Sequence, residues 1–258
     1  MSEEEQTEED GAKEAESAVS QTYLMDEQVR ETHALAEGIL GEVEQVVLGK
    51  RPVLELVMVG VMAGGNILFE DNPGLAKTLL ANTFARALGC EFKRVQFTPD
   101  LLPADITGIY IFDRKTNDFA FRPGPLFCNV LLADEINRAP PKTQAALLEA
   151  MQEHQVTLEG HTHQLPQPFI TLATQNPIES EGTYPLPEAQ LDRFMMKLSI
   201  GYPGRPIERA IIVKRMQRMK DDHDVRALAS PEKLVQMQTS LEKVKVGEKI
   251  IEYIVEIV

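Results

Sequence analysis

Residues 66–78 read NILFEDNPGLAKT, an apolar run that leads into a turn containing proline and glycine. Residues 66–70 predict a short buried strand, because they are mainly apolar and lie between turn-forming residues. Residues 78–88 predict a helix that ends at Gly89, since glycine readily adopts the left-handed backbone found after helices. A strand, a glycine-containing turn and a helix in this order indicate an α/β fold.

The same alternation continues along the chain. Further strands are predicted at residues 92–97, 130–135, 169–174 and 195–200, with a helix at residues 140–153. An amphipathic helix at residues 26–48 and a second helix starting at Pro52 precede the first strand. This pattern predicts a three-layer αβα core with a mainly parallel five-stranded sheet.

Two segments interrupt the alternation. Residues 109–121 and 155–165 each consist of two short β-prone arms around a turn, which predicts two inserted β-hairpins. His161 and His163 lie in the second of these hairpins, and two histidines without a third ligand beside them do not make a metal site. We expect both histidines to be exposed to solvent.

The turn after the first strand has the chemistry of a phosphate-binding loop. Backbone N–H groups at a helix start bind phosphate oxygens, Lys77 can reach the β- and γ-phosphates, and the Thr78 hydroxyl can hold Mg²⁺. The strict P-loop pattern has glycine where this chain has Asp71 and Ala76. On this loop alone, a plain turn before an amphipathic helix with a solvent-facing lysine explains the residues equally well.

An acidic pair, Asp134 and Glu135, ends the apolar strand at residues 130–135. Open α/β sheets bind their ligands at the carboxyl ends of their strands. One carboxylate there can hold Mg²⁺ through water, and the other can polarise the water that attacks a γ-phosphate. The alternative, that the pair only caps the following helix, is weakened by the phosphate-like loop upstream.

Six blocks of sequence, in order, resemble the MoxR family of AAA+ ATPases over about residues 43–203. The blocks are NPGLAKT, RVQFTPDLLPADITG, FRPGPLF, LLADEINRAPPKTQAALLEAMQE, ATQNPIESEGTYPLPEAQLDRF and IGYP. The family itself uses alanine at the position of Ala76. The resemblance implies an ATPase that binds ATP and Mg²⁺. It also implies a ring, a hexamer by analogy with the family, that remodels a protein client, which can carry a von Willebrand factor A domain.

The resemblance also assigns roles to single residues. It implies that Lys77 binds phosphate, that Thr78 and Asp134 position Mg²⁺, and that Glu135 activates the attacking water. It implies that Asn176 is the sensor residue that orients this water, although an Asn-Pro turn also explains this asparagine. The other residues expected to contact the nucleotide are Asn72, Pro73, Gly74, Leu75, Ala76 and Leu79.

Other implied contacts lie outside the loop. Arg193 matches the arginine finger, which in the family reaches the γ-phosphate of a neighbouring subunit, whereas a surface ion pair is the simpler alternative. Val47, Leu48 and Gly49 fall where the family packs the adenine base, but they can equally belong to the core. The two hairpins match family insertions that point toward the ring's pore, so they are candidate client-contacting elements.

Two features depart from the family. Asp71 stands where the family has the first glycine of its phosphate loop. Like-charge repulsion and backbone strain there predict weaker ATP binding, unless the side chain turns away. After residue 203 the chain predicts helices starting at Ile207 and Pro231, a partial lid at residues 204–258 that lacks the second sensor arginine of the family.

Composition limits the partners and the compartment. The formal net charge is −14, and half of it lies in residues 1–20. Few bulky hydrophobes occur in residues 1–22, so we expect a disordered tail before a core at residues 23–203. The acidic balance argues against a nucleic-acid partner, which would need lysine and arginine to neutralise its phosphates.

The sequence also predicts where the protein works. No apolar run approaches the roughly 20 residues of a membrane-spanning helix, and the first residues are acidic where a secretory signal would be basic. We therefore expect a cytoplasmic protein without membrane insertion. Cys90 and Cys128 are the only cysteines, and we expect buried free thiols.

Three functions remain open at this point. The first is an ATP-driven remodeller of proteins. The second is a nucleotide-binding scaffold that hydrolyses weakly or not at all, because of Asp71 and the missing sensor. The third is a nucleic-acid motor or a chelatase subunit, since relatives within AAA+ share these blocks.

Overall fold

A computed structural model describes residues 26–176, 182–219 and 223–257. The expected disordered tail, residues 1–22, lies outside this part of the chain. The elements are α1 (Asp26–Glu44), α2 (Arg51–Met62), β1 (Ile67–Glu70), α3 (Lys77–Ala87), β2 (Phe92–Gln96), α4 (Pro103–Thr107), β3 (Gly108–Asp113), β4 (Asp118–Pro123), β5 (Val130–Asp134), a 3₁₀ turn (Ile136–Arg138), α5 (Pro141–Glu153), β6 (Gln155–Leu158), β7 (His161–Gln164), β8 (Ile170–Gln175), α6 (Glu188–Leu191), β9 (Met196–Leu198), α7 (Arg205–Arg218), α8 (Pro231–Leu241) and α9 (Glu248–Ile257).

Five strands form one parallel sheet in the order β2-β5-β8-β1-β9. Successive strand residues face opposite sides of a sheet. In β1, Ile67 and Phe69 accordingly join the hydrophobic cluster under α1, α2 and α3, whereas Leu68 joins the cluster under α5. These two clusters confirm the predicted three-layer α/β fold and its mainly parallel five-stranded sheet.

The element boundaries differ from the sequence prediction by a few residues. Helix α1 ends at Glu44 rather than at residue 48, because residues 45–49 form turns. After residue 203, helices start at Arg205 and Pro231, close to the predicted Ile207 and Pro231, and a further helix, α9, starts at Glu248. The short helices α4 and α6 were not predicted, since four or five residues are too few to show a helical period.

Both predicted hairpins are present, as β3-β4 and β6-β7. Glu159 and Gly160 turn the second hairpin with φ of 49° and 81°, as a two-residue turn with two left-handed residues requires. The expectation of two solvent-exposed histidines is only half right. His161 is exposed, but His163 is partly buried because its ring stacks on Phe121 of the first hairpin at 3.9 Å between centroids.

The segments that follow the sheet pack back onto it in part. Helix α8 buries Leu234 and Met237 in the cluster under α1 to α3, and Gln238 donates a hydrogen bond to the Val61 carbonyl at 2.8 Å. The side chains of α9 described by the structure are exposed. The division into a core at residues 23–203 and a partial lid at residues 204–258 stays a prediction.

The two cysteines are buried free thiols, as predicted. Burial raises the pKa of the Cys90 thiol to about 11 and that of the Cys128 thiol to about 12. Both thiols are therefore protonated and unreactive near neutral pH. In the described ranges, no helix combines the length and the apolar character that crossing a bilayer requires.

Candidate active site

A cleft of about 450 Å³ lies at the carboxyl ends of β1, β5 and β8. Open α/β sheets bind ligands at this edge. The cleft collects residues from the loop after β1, the start of α3, strand β2 and the ends of β5 and β8. All the residues predicted from the phosphate loop line this cleft except Asn72.

The phosphate-like loop turns through two left-handed residues before α3 begins at Lys77. Gly74 has a φ of 83° and Ala76 a φ of 58°. Alanine is disfavoured in this conformation, because its Cβ approaches the following carbonyl oxygen, at a cost of roughly 1–2 kcal/mol. The strict P-loop pattern has glycine at the positions of Asp71 and Ala76. Of these two residues, only Ala76 has the left-handed backbone that favours glycine, and Asp71 has no positive φ.

Lys77 points back into the loop that precedes it. Its Nζ donates a hydrogen bond to the Asp71 carbonyl oxygen at 2.7 Å, and the residue is only 9% exposed. Burial lowers the pKa of the Lys77 ammonium, and the charges of Asp71, Asp134 and Glu135 oppose that shift. A partly desolvated cation surrounded by carboxylates is suited to bind an anion that enters the cleft.

The side chain of Asp71 turns away from the phosphate-like loop. Its Oδ1 accepts a hydrogen bond from Ser199 Oγ at 2.7 Å, and its Oδ2 accepts one from the Ile200 backbone N–H. The carboxylate thereby ties the end of β1 to the segment after β9. Of the two outcomes considered from the sequence, repulsion of phosphate or a side chain turned aside, the structure shows the second.

The acidic pair at the end of β5 is organised by Thr174 of β8. The Thr174 hydroxyl donates to Asp134 Oδ1 at 2.6 Å and accepts from the Glu135 backbone N–H at 2.8 Å. Glu135 itself has a left-handed backbone, with φ of 57°. This conformation turns the chain sharply after β5, and both carboxylates line the cleft.

Strand β2 contributes two residues that the sequence reasoning missed. Arg94 donates to Asp134 Oδ2 from Nη2 at 2.7 Å and from Nε at 3.1 Å. Gln96 Nε2 donates to Glu135 Oε2 at 2.8 Å, and Arg138 Nε lies 2.9 Å from the same oxygen. The period of two along β2 predicts that Arg94 and Gln96 share a face. Which strand lies beside them cannot be read from that period.

Asn176 follows β8 and is 8% exposed in the wall of the cleft. It lies close to Thr174, which holds the acidic pair. The segment after it, residues 177–181, lies outside the described part of the chain. The predicted sensor residue is thus brought to the same cleft as Lys77, Asp134 and Glu135.

A second, more apolar cavity of about 420 Å³ adjoins the first one. The two share the loop residues Gly74, Leu75 and Ala76 and also Leu79. Its other lining residues include Val47, Leu48, Ile200, Tyr202 and Ile211. Gly49 does not line it. A flat apolar group joined to a polyphosphate would span the two cavities.

Gly49 lies beside the second cavity and packs against α7. With a φ of 68°, it has a backbone conformation that favours glycine, and a Cβ there would lie 2.8 Å from Ile207. A side chain at this position would therefore push against α7.

Arg193 does not line either cavity of its own chain. Its Nη1 donates to the Leu148 carbonyl oxygen of α5 at 2.9 Å. Its Nε is buried and has no hydrogen-bond partner within the described residues. The structure thus separates Arg193 from the cluster formed by the other predicted catalytic residues.

The donors present suit a nucleoside triphosphate and a magnesium ion. The N–H groups at the start of α3 and the Lys77 ammonium suit a polyphosphate. The Thr78 hydroxyl and the Asp134 carboxylate are oxygen donors of the kind that Mg²⁺ prefers. Among the described residues there is no cluster of three or more His, Cys, Asp and Glu side chains that could hold a metal ion by itself.

Comparisons with known proteins identify the family of this chain. A model of the ATPase family associated with various cellular activities (AAA) matches residues 66–196. The chain is 46% identical over 226 residues to the uncharacterized protein YeaC of Bacillus subtilis, covering 88% of this chain and 70% of that protein. It is 50% identical over 184 residues to the chaperone MoxR1 of Mycobacterium tuberculosis, covering 71% of this chain and 48% of that one.

A solved structure extends the likeness to the fold. The crystal structure of a Cytophaga hutchinsonii protein, described as a candidate ATPase, matches with a TM-score of 0.80 and 41% identity, over 94% of this chain and 71% of that one. The matched family model covers β1 to the start of β9, and therefore the whole cleft with its loop and its acidic pair. This chain belongs to the MoxR family of AAA+ ATPases.

Proposed function

We propose that this protein binds ATP with Mg²⁺ and hydrolyses ATP in a ring, where hydrolysis drives the remodelling of a protein partner. The observation that carries the proposal is that Lys77, Asp134, Glu135 and Asn176 meet in one cleft at the carboxyl edge of the sheet. The adjoining apolar cavity suits the adenine base.

Each residue has a physical task in this proposal. The Lys77 ammonium and the N–H groups of α3 hold the β- and γ-phosphates. Thr78 and Asp134 would hold Mg²⁺, which supplies charge neutralisation between the phosphate oxygens. Glu135 polarises the attacking water, and Asn176 orients it. For this task Glu135 exchanges its bonds to Gln96 and Arg138 for a bond to water.

The proposed partners follow from the family. MoxR1 is named a chaperone, which supports a protein client. By analogy with the family, we propose that this client carries a von Willebrand factor A domain. A ring, with six subunits as the first expectation, places Arg193 of one subunit at the cleft of the next. The exposed hairpin side chains Phe112 and Phe119 are the first candidates to contact such a client.

The test is nucleotide binding and phosphate release by the purified chain at high protein concentration. The wild-type protein is expected to bind ATP and release phosphate, whereas Glu135→Gln is expected to bind ATP and release almost none. The amide keeps the shape of Glu135 and loses the charge that polarises water. Full turnover by Glu135→Gln would remove Glu135 from this role.

A second candidate function is a nucleotide-binding scaffold without hydrolysis. It is favoured by the two partners that hold Glu135 Oε2, Gln96 and Arg138, because a carboxylate engaged in this way does not polarise water. Nucleotide binding without phosphate release, in the wild-type protein at any concentration, would decide for this candidate.

A further inference from the structure

Arg94 is a cationic side chain in the cleft that the catalytic roles above leave unused. It lies on the edge strand β2, which pairs with β5, and it lines the cleft. Its Nε and Nη2 both donate to the same oxygen, Asp134 Oδ2, at 3.1 and 2.7 Å. Its Nη2 also donates to Gln96 Oε1 at 2.9 Å.

These bonds leave Asp134 with both oxygens engaged. Oδ1 accepts from Thr174 Oγ1 at 2.6 Å, and Oδ2 accepts from Arg94. Under the proposed function, Asp134 positions a divalent cation. The Arg94 guanidinium is also positively charged, so it competes with that cation for the Asp134 carboxylate. Cation binding at Asp134 therefore favours release of Arg94.

A released Arg94 can turn its donors to a phosphate bound in the cleft. Its side chain is 46% exposed, so it can change rotamer, whereas the Asp134 side chain is 14% exposed and fixed by Thr174. A guanidinium binds phosphate through two parallel hydrogen bonds. The terminal phosphate of ATP, lying between Lys77 and the acidic pair, is the group that its N–H donors would meet.

We infer that Arg94 binds the γ-phosphate of ATP in its own chain and exchanges the Asp134 carboxylate for that phosphate when Mg²⁺ and ATP bind. The inference rests on the proposed function and adds a residue that discriminates ATP from ADP. With ADP no γ-phosphate is present, so Arg94 stays on Asp134 and continues to compete with the cation.

The test is the affinity of the full chain, with Mg²⁺, for a non-hydrolysable ATP analogue and for ADP. Arg94→Gln is expected to weaken binding of the ATP analogue by about tenfold or more, the loss typical of a hydrogen bond between charged groups. The same change should leave ADP binding equal or slightly tighter, because a competitor of the cation is removed. Arg94→Lys should fall between the wild type and Arg94→Gln.

Lys93→Gln is the matched control. It removes the same charge from the neighbouring position of β2, where Lys93 donates to the Phe127 carbonyl oxygen and lies outside the cleft. Its ratio of ATP to ADP affinity should equal that of the wild type. Thermal unfolding of each variant, compared with the wild type, shows that the measured chains are folded.

Two results would overturn the inference alone. Equal weakening of both nucleotides by Arg94→Gln would make Arg94 only a holder of Asp134, and unchanged affinities for both nucleotides would leave it without a role in binding phosphate. In both cases Lys77→Ala would still abolish binding and the proposed function would stand. A wild-type chain that binds neither nucleotide would overturn both.

Discussion

At the scale of single residues, Asp71 shows how a feature that looks unfavourable in the sequence can be structural. The expectation of weaker ATP binding assumed a carboxylate near phosphate and a backbone that only glycine tolerates. Asp71 has no positive φ, and its oxygens accept hydrogen bonds from Ser199 and Ile200. The backbone assumption therefore fails and the carboxylate is turned away from the loop, so we expect the residue to act on stability.

Asp71→Gly is expected to lower the free energy of unfolding by about 2–4 kcal/mol, because it leaves the Ser199 hydroxyl and the Ile200 N–H without their acceptor. Urea denaturation measures this loss. ATP affinity, measured by calorimetry, should not increase. Ser199→Ala is the control, since it removes a single donor and should cost about 1 kcal/mol. Tighter ATP binding with unchanged stability would restore the argument from charge repulsion.

Replacing Lys77 should affect the stability of the fold and the affinity for ATP in opposite directions. Burial lowers its pKa, which means that the folded chain disfavours the charged form relative to the unfolded chain. Lys77→Met is therefore expected to leave the melting temperature unchanged or raised, while ATP affinity falls at least about tenfold. Lys93→Met serves as the control for affinity. Retained ATP binding by Lys77→Met would contradict the phosphate-loop assignment.

At the scale of elements, the sequence best predicts the strands and turns that depend on a local pattern of residues. The strands β1 and β5 and the two hairpins follow from apolar runs and from turn residues such as Glu159 and Gly160. The positions of Asp134 and Glu135 at the end of β5, and of Lys77 at the start of α3, follow from the same reading.

Other parts of the site depend on the order of the strands. Arg94 and Gln96 reach the acidic pair only because β2 pairs with β5, and the register sets Gln96 beside Asp134. Such pairing joins residues about 40 positions apart, and it is fixed by the packing of the whole sheet rather than by local period. The role of Asp71 escaped prediction for the same reason, because its partners lie after β9.

The hairpins β3-β4 and β6-β7 are joined through His163. Its ring stacks on Phe121, and its Nε2 lies 3.0 Å from the Tyr110 hydroxyl. His163→Ala is expected to speed amide hydrogen exchange in both hairpins and to leave the central sheet unchanged, because the contact between them is lost. Thr162→Ala is the control, because this exposed neighbour bonds to Thr157 within its own hairpin. Equal exchange in both variants would mean that the hairpins are held independently.

At the scale of the whole molecule, Arg193 bears on whether one chain can hydrolyse ATP alone or only as part of a ring. It bonds to the Leu148 carbonyl of its own α5 and lines neither cavity of its own chain. A guanidinium with a buried Nε that lacks a partner in the described residues is costly for one subunit to keep. Under the proposed function Arg193 acts at a neighbour's cleft, and turnover is then expected to depend on assembly.

Phosphate release per subunit is therefore expected to rise with protein concentration, and two inactive variants should complement each other. An Arg193→Ala chain keeps a good Glu135, and a Glu135→Gln chain keeps a good Arg193. In rings mixed at random in equal amounts, about a quarter of the head-to-tail interfaces pair the two intact residues, so about a quarter of the wild-type rate should return. A Lys77→Ala, Arg193→Ala double variant, mixed with the Glu135→Gln chain, binds no ATP at its own cleft and offers no Arg193, so it should restore nothing. If native mass spectrometry shows mixed rings and phosphate release stays at the level of the separate variants, Arg193 does not act between subunits.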